Sequence, residues 1–96
     1  MTVEMVAVTA CTFEEFKRLM DLSVRRSLHS SFMTTEWHGT TYRASAPGVA
    51  ALGSYRDGEV RVTITISFPA TMMQSFIVAD IQRTMRDAGC TGVRPV

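Results

Sequence analysis

The side chains best suited to acid–base or anion chemistry lie in the middle of the chain: Glu36, His38, Arg43 and Arg61. Glu36 and His38 alternate along one β-prone run and Arg43 belongs to the next, so antiparallel pairing would place them near one another on one face of a sheet. A carboxylate, an imidazole and two guanidiniums could bind an anion or transfer a proton. Cross-strand pairing on a solvated sheet uses the same residue types and contributes roughly a few tenths of a kcal/mol per pair. We favour this second interpretation.

The rest of the sequence offers little further chemistry. His29 falls in the last turn of a predicted helix, where its charge would complement the helix dipole rather than act as a catalytic base. Cys11 and Cys90 match no metal-ligand spacing and are expected to be unpaired small hydrophobes. The sequence contains no nucleophile elbow, phosphate-binding glycine loop or zinc-binding histidine motif. We therefore expect a protein that is not an enzyme, with no catalytic residues, metal or cofactor.

Composition and charge predict one small domain. The 96 residues are 46% apolar with a formal net charge of +1, so residues 1–96 are expected to form a single α+β domain. Ten basic and nine acidic residues nearly balance, and such a weak field does not favour nucleic acid as a partner. The N-terminal segment lacks a basic stretch before an apolar run, and no apolar run could span a bilayer. We expect a cytoplasmic protein.

The first third of the chain predicts a strand followed by a helix. Residues 3–11 alternate loosely and are rich in valine. Thr12 and Glu15 then match a capping box, in which each side chain accepts a hydrogen bond from the backbone amide of the other. Apolar residues next recur every three or four positions, which predicts an amphipathic helix. They are Phe16, Leu19, Met20, Val24 and Leu28.

Three turn dipeptides punctuate the middle of the chain, with short β-prone runs between them. They are His38-Gly39, Pro47-Gly48 and Asp57-Gly58. Glycine permits the positive φ that tight hairpin turns need. The pattern predicts four antiparallel strands joined by two-residue loops.

Two-residue loops would fix the pairing of these strands. Trp37 would lie opposite Thr40, and Ala46 opposite Val49. The third hairpin would pair Arg56 with Glu59, and counting outward from all three gives one polar and one apolar face. The apolar face collects Met33, Trp37, Tyr42, Ala44, Ala46, Val49, Ala51, Gly53, Tyr55, Val60, Val62, Ile64 and Ile66.

A second helix is predicted to begin at Pro69 and to end near Ala88, where Gly89 can adopt a left-handed conformation. One apolar stripe of this helix would lie on the sheet: Met73, Ile77, Ile81, Met85 and Ala88. A shorter row lies roughly on the far side: Met72, Phe76 and Ala79. This row is most commonly explained by burial between the sheet and the first helix. The alternative is an exposed interface with another protein, a second copy or an apolar surface.

The predicted apolar face is thin at its centre, where four small residues come together: Ala44, Ala46, Ala51 and Gly53. The aromatic residues Trp37, Tyr42 and Tyr55 surround them. A helix could approach closely here, or a cavity could remain for an apolar ligand, with Met73 and Ile77 on its other wall. The residues leave both outcomes open.

The run WHGTTYRASAPGVAALGSYRDGEVRVTITISFP, which begins at Trp37, resembles the polyhydroxyalkanoic acid system family of small bacterial proteins associated with polyester storage granules. The shared features are the tryptophan, a turn glycine, alternating strands around Gly48-Val49, and the apolar positions Val60, Val62 and Ile64. With the first helix, the resemblance spans roughly residues 12–86. It implies a non-enzymatic accessory protein at the granule surface or with granule proteins. The element order is also similar to a reduced helix-grip domain, whose curved sheet holds a helix over a lipid-sized cavity.

These observations predict a two-layer α+β fold whose antiparallel sheet of about five strands follows the order β-α-β-β-β-β-α, with both helices on one face. We expect a binding or accessory protein that acts through Met72, Phe76 and Ala79. The alternative is a small carrier of an acyl or other apolar ligand, bound between the sheet and the second helix by Trp37, Tyr42, Tyr55, Met73 and Ile77. A homodimer is plausible because residues 3–11 or 33–37 would leave an open strand edge.

Overall fold

The computed structural model describes residues 2–26 and 33–96. In these residues, two helices accompany one antiparallel sheet of six strands, so the fold is α+β. The strands are β1 (Thr2–Thr9), β2 (Thr34–His38), β3 (Thr41–Ala46), β4 (Val49–Arg56), β5 (Glu59–Ile66) and β6 (Cys90–Pro95). The helices are α1 (Phe13–Arg25) and α2 (Gln74–Asp87), and a 3₁₀ turn (Ala70–Met73) precedes α2. The order across the sheet is β2-β3-β4-β5-β1-β6.

The capping box predicted at the start of α1 is confirmed. The backbone amide of Glu15 donates to Oγ1 of Thr12, and the amide of Thr12 donates to Oε1 of Glu15, both at 3.3 Å. From this start, the helix directs Phe16 and Met20 into the core. The predicted position of His29 lies outside the described residues.

The second and third hairpins have the predicted register. Ala46 pairs with Val49, and Arg56 pairs with Glu59. The resulting alternation is clearest in β5, whose buried residues are Val60, Val62, Ile64 and Ile66. The sheet therefore has one buried and one solvated face, as predicted.

The predicted turn of the first hairpin was wrong. Its loop is Gly39-Thr40, so His38 is the last residue of β2 and does not belong to the loop. Gly39 has a φ of +59°, which allows the loop to begin at this residue. Trp37 pairs with Tyr42 instead of Thr40. Because this change moves the partner by two positions, every side chain keeps its predicted face.

The core lies between the buried face of the sheet and both helices. Met5 of β1, Ile64 of β5 and Met85 of α2 are fully buried, and they form one cluster with Phe16 of α1. Burying a side chain of this size contributes about 1.5–3 kcal/mol. These contacts hold α1 and α2 on the same face of the sheet.

Strand β6 was not predicted, so the expectation of about five strands falls one short. It pairs with β1, with Thr9 opposite Cys90. The predicted open edge at residues 3–11 is therefore wrong, because β1 lies between β5 and β6. The segment is short and contains Gly92 and Pro95, which are depleted in strands, so its pattern gave little signal.

Helix α2 begins later than predicted and ends where expected. The 3₁₀ turn occupies residues 70–73, and the α-helix starts at Gln74. Beyond its last residue, Gly89 adopts a φ of +88°. The predicted left-handed stop is therefore confirmed.

Candidate ligand cavity

A cavity of about 270 Å³ lies between the buried face of the sheet and the helices. Its walls come from α1, strands β2 to β5, and the segment from the 3₁₀ turn through α2. Most of the lining side chains are aliphatic, aromatic or methionine, including Met20, Met73 and Met85. Because protein interiors normally pack as densely as organic crystals, a space of this size needs an explanation.

Small residues on β3 and β4 create this space. Ala44, Ala46, Ala51 and Gly53 all line the cavity. The three atoms nearest to a Cβ added at Gly53 all belong to the adjacent strands, and none belongs to a helix. They are Cγ2 of Val62 at 3.8 Å, the carbonyl oxygen of Arg61 at 3.9 Å and Cβ of Tyr42 at 3.9 Å. The helices therefore do not fill the space above these small residues.

Aromatic residues form the wall of the cavity near α1. The ring centroids of Trp37 and Tyr42 are 4.7 Å apart, and Phe16 packs edge-on against Trp37. The indole N–H of Trp37 donates to Oδ1 of Asp21 at 3.0 Å, which fixes the ring. The pKa of the Tyr42 hydroxyl is raised, mainly because the group is buried. The nearby Thr35 side chain lowers this pKa by a smaller amount, although it is too poorly placed to form a hydrogen bond with the hydroxyl. The wall therefore presents mainly ring carbons to a ligand.

Tyr55 does not join the other predicted cavity residues. Its ring packs on Phe13 and Phe16, with centroids 5.6 and 5.5 Å away, and its hydroxyl donates to the carbonyl oxygen of Cys11 at 2.7 Å. Tyr55 instead anchors the start of α1 to the sheet. The predicted residues that do line the cavity are Trp37, Tyr42, Met73 and Ile77.

The wall formed by α2 contains a charged residue, Asp80. Its carboxylate Oδ1 accepts a hydrogen bond from Nη2 of Arg83 at 2.6 Å, and Arg83 also donates to Asp87 at 3.2 Å. The hydroxyl of Thr84 donates to the carbonyl oxygen of Asp80 at 2.9 Å. Because Arg83 pairs with this carboxylate, the negative charge that the wall presents to a bound molecule is partly compensated.

The predicted second apolar row, which spans the 3₁₀ turn and α2, lies on the surface and is not part of the core. Met72 is 82% exposed and Phe76 is 74% exposed, and Ala79 is exposed as well. Phe68, which the sequence pattern did not single out, is 79% exposed. The signal that could have found it is the absence of any charged residue from 67 to 79. We call Phe68, Met72, Met73 and Phe76 the apolar collar.

The residues considered for acid–base chemistry do not form one cluster. Nε2 of His38 lies 3.1 Å from Oε1 of Glu36, with both side chains mostly exposed, and Arg43 is opposite Glu36 in the hairpin. Arg61, in β5, lies three strands from Glu36 and His38 in β2, which is about 14 Å at the usual strand spacing. It pairs instead with Glu59 at 2.7 Å. The geometry is that of ordinary contacts between solvent-exposed side chains, which contribute little to stability.

The two cysteines are free, with Cys11 partly buried and Cys90 buried. Cys90 is buried, and this burial, with a smaller contribution from Cys11, raises the pKa of its thiol to about 11. Since the thiolate is the reactive form, Cys90 stays inert at neutral pH. It packs as a small apolar side chain.

Comparison with known proteins found neither a matching family model nor a matching curated protein. Within residues 2–26 and 33–96, no helix is long and apolar enough to cross a bilayer. In the same ranges, no three histidine, cysteine or acidic side chains come together as a metal site.

Proposed function

We propose that the protein binds a small, largely apolar molecule in the cavity between its sheet and its helices. The observation that carries this proposal is the 270 Å³ space with an apolar lining. Because the cavity opens to solvent, its apolar lining meets water in the ligand-free chain, which costs about 25 cal/mol per Å² of apolar surface. A bound apolar molecule would displace this water and recover much of that cost.

The size and charge of the cavity restrict the ligand. A volume of about 270 Å³ suits a medium-length acyl segment or a pair of fused or linked rings. The compensated Asp80 and the ring carbons of Trp37 and Tyr42 favour a neutral molecule over an ion. Met20, Met73 and Met85 have flexible side chains that can adapt to different shapes. We expect broad selectivity for neutral apolar molecules.

Binding of the neutral fluorescent probe N-phenyl-1-naphthylamine tests this proposal. The probe should become brighter with the wild-type chain, and Ala51→Phe, which fills the cavity, should weaken its binding roughly tenfold or more. Ala50→Phe is the matched control, because Ala50 is the neighbouring residue on the solvated face and should leave binding unchanged. Wild-type protein that binds no probe, or equal effects of the two substitutions, would contradict the proposal.

A second candidate is an accessory role at polyester storage granules in the cytoplasm. The family resemblance implies the granule association. The observation that favours it is the exposure of Met72, Phe76 and Ala79. Adaptable methionine and flat phenyl rings suit contact with an apolar surface. The two candidates differ in where the contact lies, since a granule would meet the surface row and a small ligand would enter the cavity.

A further inference from the structure

We propose that a second copy of this chain packs on the apolar collar and covers the opening of the cavity. The ligand-binding unit would then be a homodimer in which each copy supplies part of the other's site. This inference rests on the proposed function, because it concerns access to the same cavity. The dimer interface would use the same residues, Met72 and Phe76, that would contact a granule surface.

The size of the collar fits the centre of a dimer interface. With large apolar side chains of roughly 200 Å² each, the exposed fractions of the four collar residues amount to about 500–600 Å². A standard interface buries about 800 Å² per partner, and homodimer interfaces are about 65% apolar. The collar would therefore supply nearly the whole apolar part. The polar rim would come from Ser67, Thr71, Gln74 and Ser75.

Charge favours a second copy over an anionic bilayer. Residues 67–79 contain no charged side chain. Two-fold symmetry places the same surface on both sides of an interface, so an uncharged collar can meet itself without repulsion. A segment that docks on anionic lipid usually combines apolar and basic residues. The next basic residue, Arg83, is engaged by Asp80 and Asp87.

The position of the collar links the interface to the cavity. Met73 and Phe76 line the cavity and are also 49% and 74% exposed, so they border its opening. In a single copy, these side chains and the lining behind them are in contact with water, which is unfavourable for apolar surface. A partner packed here would remove this surface from water and form the missing wall.

Sedimentation velocity of the 96-residue chain without ligand, from micromolar to near-millimolar concentration, tests the interface. The wild type should approach twice the mass of one chain. Met72→Asp and Phe68→Asp should each raise the dissociation constant of the dimer roughly tenfold or more. Neither residue lines the cavity, so the site inside one copy stays intact. Leu52→Asp is the control: Leu52 is 45% exposed on the opposite face of the sheet, and its substitution should leave the dimer unchanged.

Three results would overturn the inference. The first is a wild type that stays monomeric over the whole range. The second is a dimer that both collar substitutions leave unchanged, or that Leu52→Asp weakens equally, when circular dichroism shows all variants folded. The third is a monomeric wild type that co-sediments with poly(3-hydroxybutyrate) particles, while Met72→Asp does not. This result would show that the collar binds a polymer surface and not a second copy.

The naphthylamine titration separates this inference from the proposed function. A dimer that depends on the collar but binds no probe supports the interface and contradicts only ligand binding. A monomer that binds the probe in a manner sensitive to Ala51→Phe supports ligand binding and overturns only the interface.

Discussion

At the scale of single residues, the core contains a buried polar group whose burial no hydrogen bond compensates. Ser23 lies on the buried side of α1, and its hydroxyl is enclosed without a hydrogen-bond partner among the described residues. An unsatisfied buried group costs about 1–3 kcal/mol, and alanine is the better helix former. We expect Ser23→Ala to raise the free energy of unfolding by about 1 kcal/mol, as measured by urea denaturation.

Ser75→Ala is the control for this residue, because Ser75 is exposed in α2 and its change should stay within about 0.5 kcal/mol. A loss of stability in Ser23→Ala would mean that the hydroxyl has a partner in solution. The sequence could not have predicted the unsatisfied group. Apolar spacing identifies the side of α1 that faces the core, but satisfaction of one hydroxyl depends on atoms brought in from other elements.

At the scale of elements, glycine in the left-handed region fixes where α2 gives way to β6. Gly89 has a φ of +88°, and an added Cβ would lie 3.0 Å from Sγ of Cys11. Gly89→Ala therefore combines backbone strain with a tight contact, and we expect it to lower the free energy of unfolding by about 2 kcal/mol. Gly39→Ala is the matched control: its φ is +59° with no atom within 4 Å, so strain alone should cost about 1 kcal/mol. A larger loss at Gly39 in the same denaturation experiment would contradict this account.

The elements themselves could be predicted wherever one local rule dominated. Period-two alternation and two turn glycines gave the register of the second and third hairpins, and the capping box located the start of α1. The first turn was misplaced because Gly39 could serve as the first or the second loop residue. Strand β6 could not be predicted from its own six residues, since its place depends on pairing with β1 at the other end of the chain.

At the scale of the whole molecule, the cavity is the feature that the sequence left open. Small residues at Ala44, Ala51 and Gly53 are compatible with a close helix or with an open space. The choice depends on how far α2 stands from the sheet, and that distance depends on the packing of the complete core. Likewise, helical spacing identified the row of Met72 and Phe76, but whether another element covers it depends on the arrangement of the complete fold.

Filling the cavity should stabilise the whole fold. A ligand at a hundred times its dissociation constant stabilises a one-site protein by about 2.7 kcal/mol, and each kcal/mol moves the melting temperature of a domain of this size by about 4–8 °C. We therefore expect saturating N-phenyl-1-naphthylamine to raise the melting temperature of the wild type by about 10–20 °C in scanning calorimetry. Ala51→Phe, with its cavity occupied by the new ring, should respond much less, whereas Ala50→Phe should respond like the wild type. Equal shifts in all three proteins would mean that the probe stabilises them from a site other than this cavity.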